Sequence, residues 1–267
     1  MPWSIIGHDR NKRFFESVIK NGRLVHAYLF SGPEMVGKKM FARDLARLLN
    51  NKDAENNPDF RLVGSKIEDI RGLKLFLSTK PYYGPHLIAI IDDAHDLTSE
   101  ASNALLKLLE EPNKAAIILL ISSRPKLLLK TIYSRCQEIK FQSLGANEVD
   151  SIMPGKLKLE DKNLLKKLAQ NRPGWIVRNT GKVNTIKTSI QDFNEVLNQG
   201  IFEKMQYVSK IYDKEDTGEL IDNLIYWHYS QEPKPLKLLK NLIALSNIIS
   251  QPQYNHRLAL ESFLINL

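Results

Sequence analysis

Cysteine is almost missing from this chain, since Cys136 is the only one among its 267 residues. A single thiol cannot form an internal disulfide framework or a four-cysteine zinc site. No apolar run reaches the roughly 18–20 residues that a membrane helix requires, and the opening MPWSIIGHDRNKR lacks the apolar core of a secretory signal. We therefore expect a soluble, cytoplasmic, globular protein.

The charged residues favour anionic partners only weakly. There are 38 Lys and Arg against 30 Asp and Glu, which gives a net charge of +8 and an isoelectric point near 9.3. Such an excess attracts nucleic acid but carries no sequence specificity. A chain of this size buries roughly 70–75% of its unfolded surface, which is ample for a large core.

The first half of the sequence alternates short apolar runs with helix-length periodic stretches. The runs that predict strands are HAYLFSG (26–32), DFRLV (59–63), HLIAIID (86–92), AAIILLISS (115–123) and CQEIKF (136–141). The third and fourth are almost continuously aliphatic, which is typical of strands buried on both faces. Between the runs, KKMFARDLARLLN, IEDIRGLKLFLS and SEASNALLKLLEEP have helical periodicity. This alternation predicts an α/β domain with a mostly parallel, five-stranded sheet.

After about residue 144 only helical periodicity is present, as in FNEVLNQGIFEKMQYVSKIY and PLKLLKNLIALSNIIS. Prolines followed by glycine interrupt a compact stretch up to Lys182, and Pro233 with Pro235 marks an interhelical loop. The predicted organisation is an α/β domain at 1–143, a small helical domain at 144–182 and an all-helical domain at 183–267.

A glycine-rich segment follows the first predicted strand. The run from Gly32 to Lys39, GPEMVGKK, fits the G-x-x-x-x-G-K pattern in the strand–loop–helix context that binds phosphate. Its glycines, Gly32 and Gly37, let backbone N–H groups close around phosphate oxygens, and Lys38 would reach the β- and γ-phosphates. The next residue should be a Ser or Thr that ligates Mg²⁺, which Lys39 cannot do. A glycine turn that only connects strand to helix is the alternative interpretation.

Two carboxylates follow the third predicted strand. Asp92 and Asp93 come directly after IAII, at the strand edge where open α/β sheets bind ligands. Asp92 would hold Mg²⁺, and Asp93 stands where a hydrolytic ATPase has a longer Glu to orient water. Carboxylates that merely cap the following turn are the alternative.

Tyr82 and Tyr83 lie beside Lys80 in LSTKPYYGPH. We expect a turn before the third strand with both rings packed on the sheet edge. A base-stacking platform is the alternative interpretation.

Several strings resemble bacterial clamp-loader subunits of the AAA+ family. They are HAYLFSGP (26–33), NALLKLLEEP (103–112), SRC (134–136) and NHRLALE (255–261), and they extend over nearly the whole chain. The resemblance implies a P-loop AAA+ domain, a helical lid and a C-terminal helical collar for the three predicted domains. It also implies that Ser122 and Ser123 sense a γ-phosphate, although a serine pair before Pro125 is equally ordinary turn chemistry.

Departures from the motor subunits (gamma/tau) of that family favour a non-motor member. A motor has Gly-Lys-Thr/Ser, an Asp-Glu pair and a four-cysteine zinc module, whereas this chain has Lys39, Asp93 and a short polar link at 50–58. A motor also has a lid Arg at the position of Gly174. These losses fit the delta-prime branch, whose family role is a comparatively rigid stator. We expect no zinc and weak or absent binding of ATP or ADP.

The resemblance implies that Arg135 is an arginine finger offered in trans to ATP on a neighbouring subunit. A guanidinium is always charged and presents fixed donors, which suits a γ-phosphate in the transition state. An Arg paired with a local carboxylate at a strand start is the alternative. Cys136 is predicted to be a small, buried packing residue.

Three functional hypotheses remain. The first is a non-motor subunit of the sliding-clamp loader in the DNA polymerase III holoenzyme, assembled with gamma/tau and delta subunits and, through them, with the sliding clamp and primer–template DNA. We expect no intrinsic ATPase or polymerase activity in that case. The second is an ATP-hydrolysing motor subunit of the same family, and the third is a basic DNA-binding protein with a vestigial AAA+ fold.

Overall fold

A computed structural model describes residues 3–52, 57–212, 217–251 and 253–267. The chain divides into two compact units, Met1–Ile152 with Asn171–Gly174 and Met153–Gln170 with Trp175–Leu267. The predicted three-domain division at 143/144 and 182/183 stays a prediction. In the described part of the chain, no helix is both long and apolar enough to cross a membrane.

A five-stranded sheet lies at the centre of the first unit. Its strands are β1 (Ala27–Ser31), β2 (Phe60–Val63), β3 (Leu87–Ile91), β4 (Ala116–Ser122) and β5 (Gln137–Lys140). Their order is β2-β3-β4-β1-β5, and every neighbouring pair is parallel. All residues of β1, β3 and β4 are buried. The α/β fold and the five predicted strands are therefore confirmed.

Helices cover both faces of this sheet. The helices that pack on it are α1 (Asp9–Lys20), α2 (Lys38–Asn50), α3 (Ile67–Leu77), α4 (Ser99–Glu110) and α5 (Lys130–Tyr133), and α6 (Ala146–Ile152) follows β5. Successive strand residues point to opposite faces, so Leu29 joins an apolar cluster with α3 and α4, whereas Phe30 joins one with α1 and α2. Each large apolar side chain that is fully buried stabilises the fold by about 1.5–3 kcal/mol.

The strand register brings three loops to one edge of the sheet. Ser31 at the end of β1 pairs with Ser122 at the end of β4, and Ile91 at the end of β3 pairs with Leu120. Because the carboxyl ends of parallel strands lie at the same edge, the loops after β1, β3 and β4 converge there. The sequence-predicted site residues after these strands therefore share one neighbourhood.

Every regular element described after Ile152 is a helix, as predicted. The helices are α7 (Leu159–Ala169), α8 (Pro173–Asn179), α9 (Val183–Leu197), α10 (Ile201–Ile211), α11 (Thr217–Tyr229), α12 (Leu236–Ile249) and α13 (His256–Ile265). The run 193–212, which has one helical pattern in the sequence, is divided between α9 and α10. The division follows from Gly200, which is extended and begins α10 as its N-cap. Across this break, the Phe193 and Tyr207 ring centroids lie 6.4 Å apart.

Candidate nucleotide-binding site

The loop from Gly32 to Gly37 joins β1 to α2, as the G-x-x-x-x-G-K pattern predicts. Both glycines have positive φ angles, 141° and 103°. A Cβ on Gly32 would clash with the backbone carbonyl oxygen of Phe141, and one on Gly37 would lie 3.1 Å from Ile5 Cδ1. The loop conformation therefore requires glycine at both positions, and at Gly32 the close backbone approach requires it as well.

Lys38 is turned into its own loop. Its Nζ donates to the carbonyl oxygens of Gly32 at 2.7 Å and of Pro33 at 2.5 Å. The residue is only 6% exposed, and burial lowers its pKa from the ordinary value of a lysine. The ammonium that should reach a β- or γ-phosphate is thus engaged by backbone carbonyls of the loop.

Lys39 forms an ion pair with Asp92. Its Nζ lies 2.8 Å from Asp92 Oδ2, while Asp92 Oδ1 accepts a hydrogen bond from the Asp93 backbone N–H at 3.1 Å. From the sequence, both residues are expected at the positions that hold Mg²⁺ in a hydrolytic P-loop. In the structure, the two side chains contact each other directly. Both oxygens of Asp92 therefore have partners within the chain.

Asp93 follows in a left-handed backbone conformation, with φ 45° and ψ 47°. Burial and the neighbouring Asp92 raise the pKa of its carboxyl group. It precedes a short 3₁₀ turn at Ala94–Asp96. Asp93 therefore begins a turn, as expected if the carboxylates only cap the turn after the strand. Its environment favours the protonated form relative to an ordinary aspartate.

The two serines at the end of β4 have different surroundings. Ser122 Oγ accepts the Arg124 backbone N–H at 3.1 Å, which is the local turn contact that the alternative interpretation predicts. Ser123 Oγ donates to Glu34 Oε1 at 3.1 Å and lies 3.4 Å from His95 Nε2. Only Ser123 therefore contacts the phosphate loop, through Glu34, which the sequence analysis did not single out.

A short segment of the predicted lid also contacts the phosphate loop within the first unit. The backbone N–H of Gly174 donates to the carbonyl oxygen of Met35 at 2.8 Å. A Cβ on Gly174 would lie 2.9 Å from that oxygen and 3.2 Å from Met35 Cβ. The position that carries an Arg in motors is therefore packed directly on the loop backbone here.

His8 is a further contact of the phosphate loop. Its Nε2 lies 2.8 Å from the carbonyl oxygen of Val36, and because a carbonyl only accepts, the proton resides on Nε2 in this contact. The ring is also 4.9 Å from the Phe141 ring, edge to face. Burial lowers the His8 pKa. Gly7 and His8 both have positive φ angles. In the sequence, the glycine at position 7 is the feature that indicates a turn there.

Arg135 lies two residues before β5 and away from this loop. Its Nη2 donates to Glu110 Oε1 at 2.8 Å, and its Nη1 donates to the Thr131 carbonyl oxygen at 3.0 Å. The side chains of Arg135 and Glu110 are 36% and 49% exposed. Within the chain, Arg135 thus has the local carboxylate partner that the alternative interpretation expects, and its role toward a neighbouring subunit stays a prediction.

Cys136 packs against the apolar cluster of α3 and α4, which confirms the predicted packing role, although the residue is half-buried and not fully buried. Burial raises the pKa of its thiol to about 12, so the reactive thiolate is disfavoured. The polar link at 50–58, where a motor has its zinc module, includes residues 53–56, which lie outside the described residues.

The turn with Tyr82 and Tyr83 differs from its prediction. The buried Asp59 accepts the backbone N–H groups of Tyr82 and Tyr83 at 2.6 Å each and of Gly84 at 3.0 Å, which fixes the predicted turn. The rings, however, are not packed on the sheet edge, because they are 77% and 58% exposed. The ring prediction was wrong because Asp59, read as part of a strand, holds the turn through its backbone and leaves the rings in solvent.

The side chains at the loop do not fit a magnesium-bound nucleotide, the ligand that the AAA+ resemblance implies. Mg²⁺ takes oxygen ligands in near-octahedral geometry, whereas the residue at the hydroxyl position is a cation that already contacts Asp92 Oδ2. Lys38 is engaged by the loop carbonyls. The glycine backbone alone retains the features of a phosphate-binding loop.

Comparisons with known proteins point to one family. The family model described as DNA polymerase III, delta subunit, matches residues 7–61 and 59–145, together more than half of the chain. The chain is 36% identical over 160 residues to DNA polymerase III subunit delta' of Bacillus subtilis (strain 168), covering 52% of this chain and 48% of that protein. It is 31% identical over 166 residues to DNA polymerase III subunit tau of Escherichia coli (strain K12), covering 54% of this chain and 26% of that protein. The match thus spans about half of the first relative and about a quarter of the second.

Solved structures resemble this chain over most of its length. A DNA polymerase III gamma subunit-related protein from Thermotoga maritima has a TM-score of 0.54 at 18% identity, covering 94% of this chain and 97% of that one. The Thermotoga maritima RuvB Holliday junction branch migration motor has a TM-score of 0.51 at 16% identity, covering 99% and 90%. At such low identity the likeness shows the fold alone, a parallel-sheet domain followed by helices.

Proposed function

Because this chain belongs to the DNA polymerase III delta subunit family, which is a family of clamp-loader proteins, we propose that it is the non-motor, delta-prime-like stator of a sliding-clamp loader. In this role it supplies Arg135 in trans to ATP on a neighbouring subunit. Its partners would be gamma/tau and delta subunits and, through the complex, the sliding clamp and primer–template DNA. The C-terminal helices would take part in the oligomeric collar.

The observation that carries this proposal is the setting of Arg135. Its guanidinium is partly exposed and oriented by two contacts, with Glu110 and with the Thr131 carbonyl oxygen. An exposed ion pair of this kind contributes only about 0–1 kcal/mol. Exchanging the Glu110 carboxylate for a phosphate oxygen of a neighbour therefore costs little, and Arg is suited to such an exchange by its fixed donors.

The chain's own phosphate loop supports the non-motor assignment. Lys39 is paired with Asp92, and the shorter Asp93 stands at the position of the water-orienting Glu. The alternative, an ATP-hydrolysing motor subunit, requires a metal ligand at residue 39. ATP hydrolysis by the isolated chain would favour that alternative.

The experiment is the ATPase rate of a clamp loader reconstituted with this chain, stimulated by DNA and clamp, with Arg135 or with Arg135→Ala. A trans arginine contributes on the order of 10³–10⁵ to the rate at a phosphoryl-transfer site. We therefore expect a large loss, diluted by any site that does not depend on this chain. Arg71→Ala removes an exposed arginine of α3 and is the matched control, for which we expect the wild-type rate.

Assembly of both variants, checked by gel filtration, separates the finger role from a scaffold role. An assembled Arg135→Ala loader that hydrolyses ATP at the wild-type rate contradicts the trans role. In that case the chain would be a scaffold or a DNA-contacting subunit.

A further inference from the structure

The residue after the phosphate-loop lysine decides whether a loop of this type holds a metal ion. In nucleotide-hydrolysing loops it is a Ser or Thr whose hydroxyl ligates Mg²⁺, together with a carboxylate at the end of a neighbouring strand. Here those two positions are Lys39 and Asp92, and Lys39 Nζ lies 2.8 Å from Asp92 Oδ2. The two groups that would share a metal ion are thus joined without one.

This ion pair opposes the binding of a divalent cation at Asp92. Its Oδ1 accepts the Asp93 N–H, and its Oδ2 is in contact with an ammonium group. Mg²⁺ would have to approach that oxygen to about 2.0–2.1 Å. The Lys39 and Asp92 side chains are 46% and 27% exposed, and an ammonium at contact distance would repel a divalent ion at this oxygen.

Several charged groups surround this ion pair. Asp92, Asp96 and Glu34 each act electrostatically on Asp93 and disfavour its charged form. Lys38 interacts electrostatically with Glu34, Asp92 and Asp93, and Lys39 adds a second cation in direct contact with Asp92. Lys39 therefore places a positive charge at the carboxylate oxygen that a metal ion would otherwise contact.

We propose that the Lys39 ammonium is a built-in replacement for the magnesium ion at Asp92, so that this residue prevents metal-dependent nucleotide binding even though the glycine backbone of the loop is retained. The inference deepens the proposed function, because a stator must keep its sheet edge intact without a nucleotide of its own. It predicts that one substitution restores a dependence on Mg²⁺.

The experiment measures the affinity of the full chain for a fluorescent ADP analogue (mant-ADP), in MgCl₂ and in EDTA. We expect wild type to bind with the same affinity, however weak, in both. Lys39→Thr should bind on the order of tenfold or more tightly in MgCl₂ than in EDTA, because a hydroxyl and a freed carboxylate can then hold the ion that bridges to the phosphates. Adding Asp92→Asn to Lys39→Thr should abolish the difference. Lys74→Thr, which removes an exposed lysine of α3, should behave as wild type.

Either of two results would overturn the inference. One is tighter mant-ADP binding by wild type in MgCl₂ than in EDTA. The other is a folded Lys39→Thr protein, as judged by circular dichroism, whose binding is absent or equal in the two buffers. A readout on the wild type alone adds a check that needs no variant: millimolar MgCl₂ without nucleotide should leave its Tm unchanged, and a clear rise would contradict a site already filled by Lys39.

These results are independent of the Arg135 experiment. The isolated chain contains no neighbouring subunit, so mant-ADP binding reports only its own loop. If Lys39→Thr does not gain a dependence on Mg²⁺ but Arg135→Ala lowers the ATPase rate, the proposed function is retained and the Lys39 inference is rejected. If Lys39→Thr gains the dependence but Arg135→Ala has no effect, the proposed function is rejected and the Lys39 inference is retained.

Discussion

The phosphate loop and the Arg135 surface are two cationic regions of the same unit, and their cations have different partners. At the loop, Lys38 is buried against backbone carbonyls, and Lys39 is paired with the carboxylate that would otherwise hold a metal ion. At the Arg135 surface, the guanidinium contacts an exposed glutamate and one carbonyl oxygen. The first region is satisfied from within the chain, whereas the second keeps a charge that can change partners.

Under the proposed function, this difference lets a nucleotide-binding fold lose its own chemistry and act in the chemistry of another subunit. The glycines keep the backbone of the loop, and internal donors satisfy its carbonyl oxygens at Gly32, Pro33, Met35 and Val36. Buried polar groups of this kind are costly to leave unpaired. A surface ion pair contributes little, so Arg135 is free to act elsewhere at small cost.

The largest expected effect on stability comes from a substitution at Gly174, which contacts the phosphate loop. Gly174→Ala places a Cβ 2.9 Å from the Met35 carbonyl oxygen, and relief requires a shift of backbone that breaks the Gly174–Met35 hydrogen bond. We expect a loss of about 1–2 kcal/mol in the free energy of unfolding, measured by urea denaturation.

Gly181→Ala is the matched control, because its Cβ would meet no atom within 4 Å. We expect its effect to stay within about 0.5 kcal/mol. Equal stability of the two variants would mean that the Gly174–Met35 contact does not stabilise the phosphate loop. The contrast between the phosphate loop and the Arg135 surface would then rest on Lys38 and Lys39 alone.

The elements of the first unit could be predicted from sequence because their signals are local. The aliphatic runs of β3 and β4 follow from burial on both faces, and α2 begins at Lys38 because the loop pattern fixes its start. The break between α9 and α10 was missed, since Asn198-Gln199-Gly200 interrupts the backbone without interrupting the apolar periodicity.

The contacts of the site could not be predicted in the same way. Lys39 and Asp92 belong to different elements, and their pairing depends on where α2 lies over the sheet. The same holds for His8 on the Val36 carbonyl and for the Gly174 N–H on Met35. The pattern GKK predicts that a Mg²⁺ ligand is absent, but only the three-dimensional arrangement shows what has taken its place.

A smaller effect is expected from protonating His8. Its folded-state pKa is lowered by burial, so the unfolded chain binds the proton more readily than the folded chain does. Stability is therefore fully present above the unfolded pKa of about 6.5 and is lost as the pH falls through that value toward the lowered folded pKa. The charged groups that act on the ring are Glu148, Lys12 and Asp9.

The measurement is the Tm from pH 7.5 down to 5.5, on the order of one unit to each side of that pKa, for wild type and for His8→Gln. We expect the Tm of wild type to fall more steeply, because Gln keeps an N–H donor for Val36 without titrating. His86 and His228, whose pKa values are also lowered by burial, are present in both proteins and cancel. Parallel curves would show that His8 does not couple the loop to pH.

The smallest effect is expected at the Arg135 surface, from Glu110→Ala. The ion pair that it removes is exposed and contributes about 0–1 kcal/mol. Glu110 is also the last residue of α4, where a negative charge opposes the helix dipole by about 0.3–1 kcal/mol. The two effects offset each other, so urea denaturation should give nearly the wild-type stability.

For the same Glu110→Ala variant, the reconstituted loader should keep its ATPase rate. Without Glu110, the Arg135 guanidinium loses the carboxylate partner that competes with a phosphate of the neighbouring subunit. A loss as large as that of Arg135→Ala would instead mean that the Arg135–Glu110 pair, and not the arginine alone, is what the loader requires.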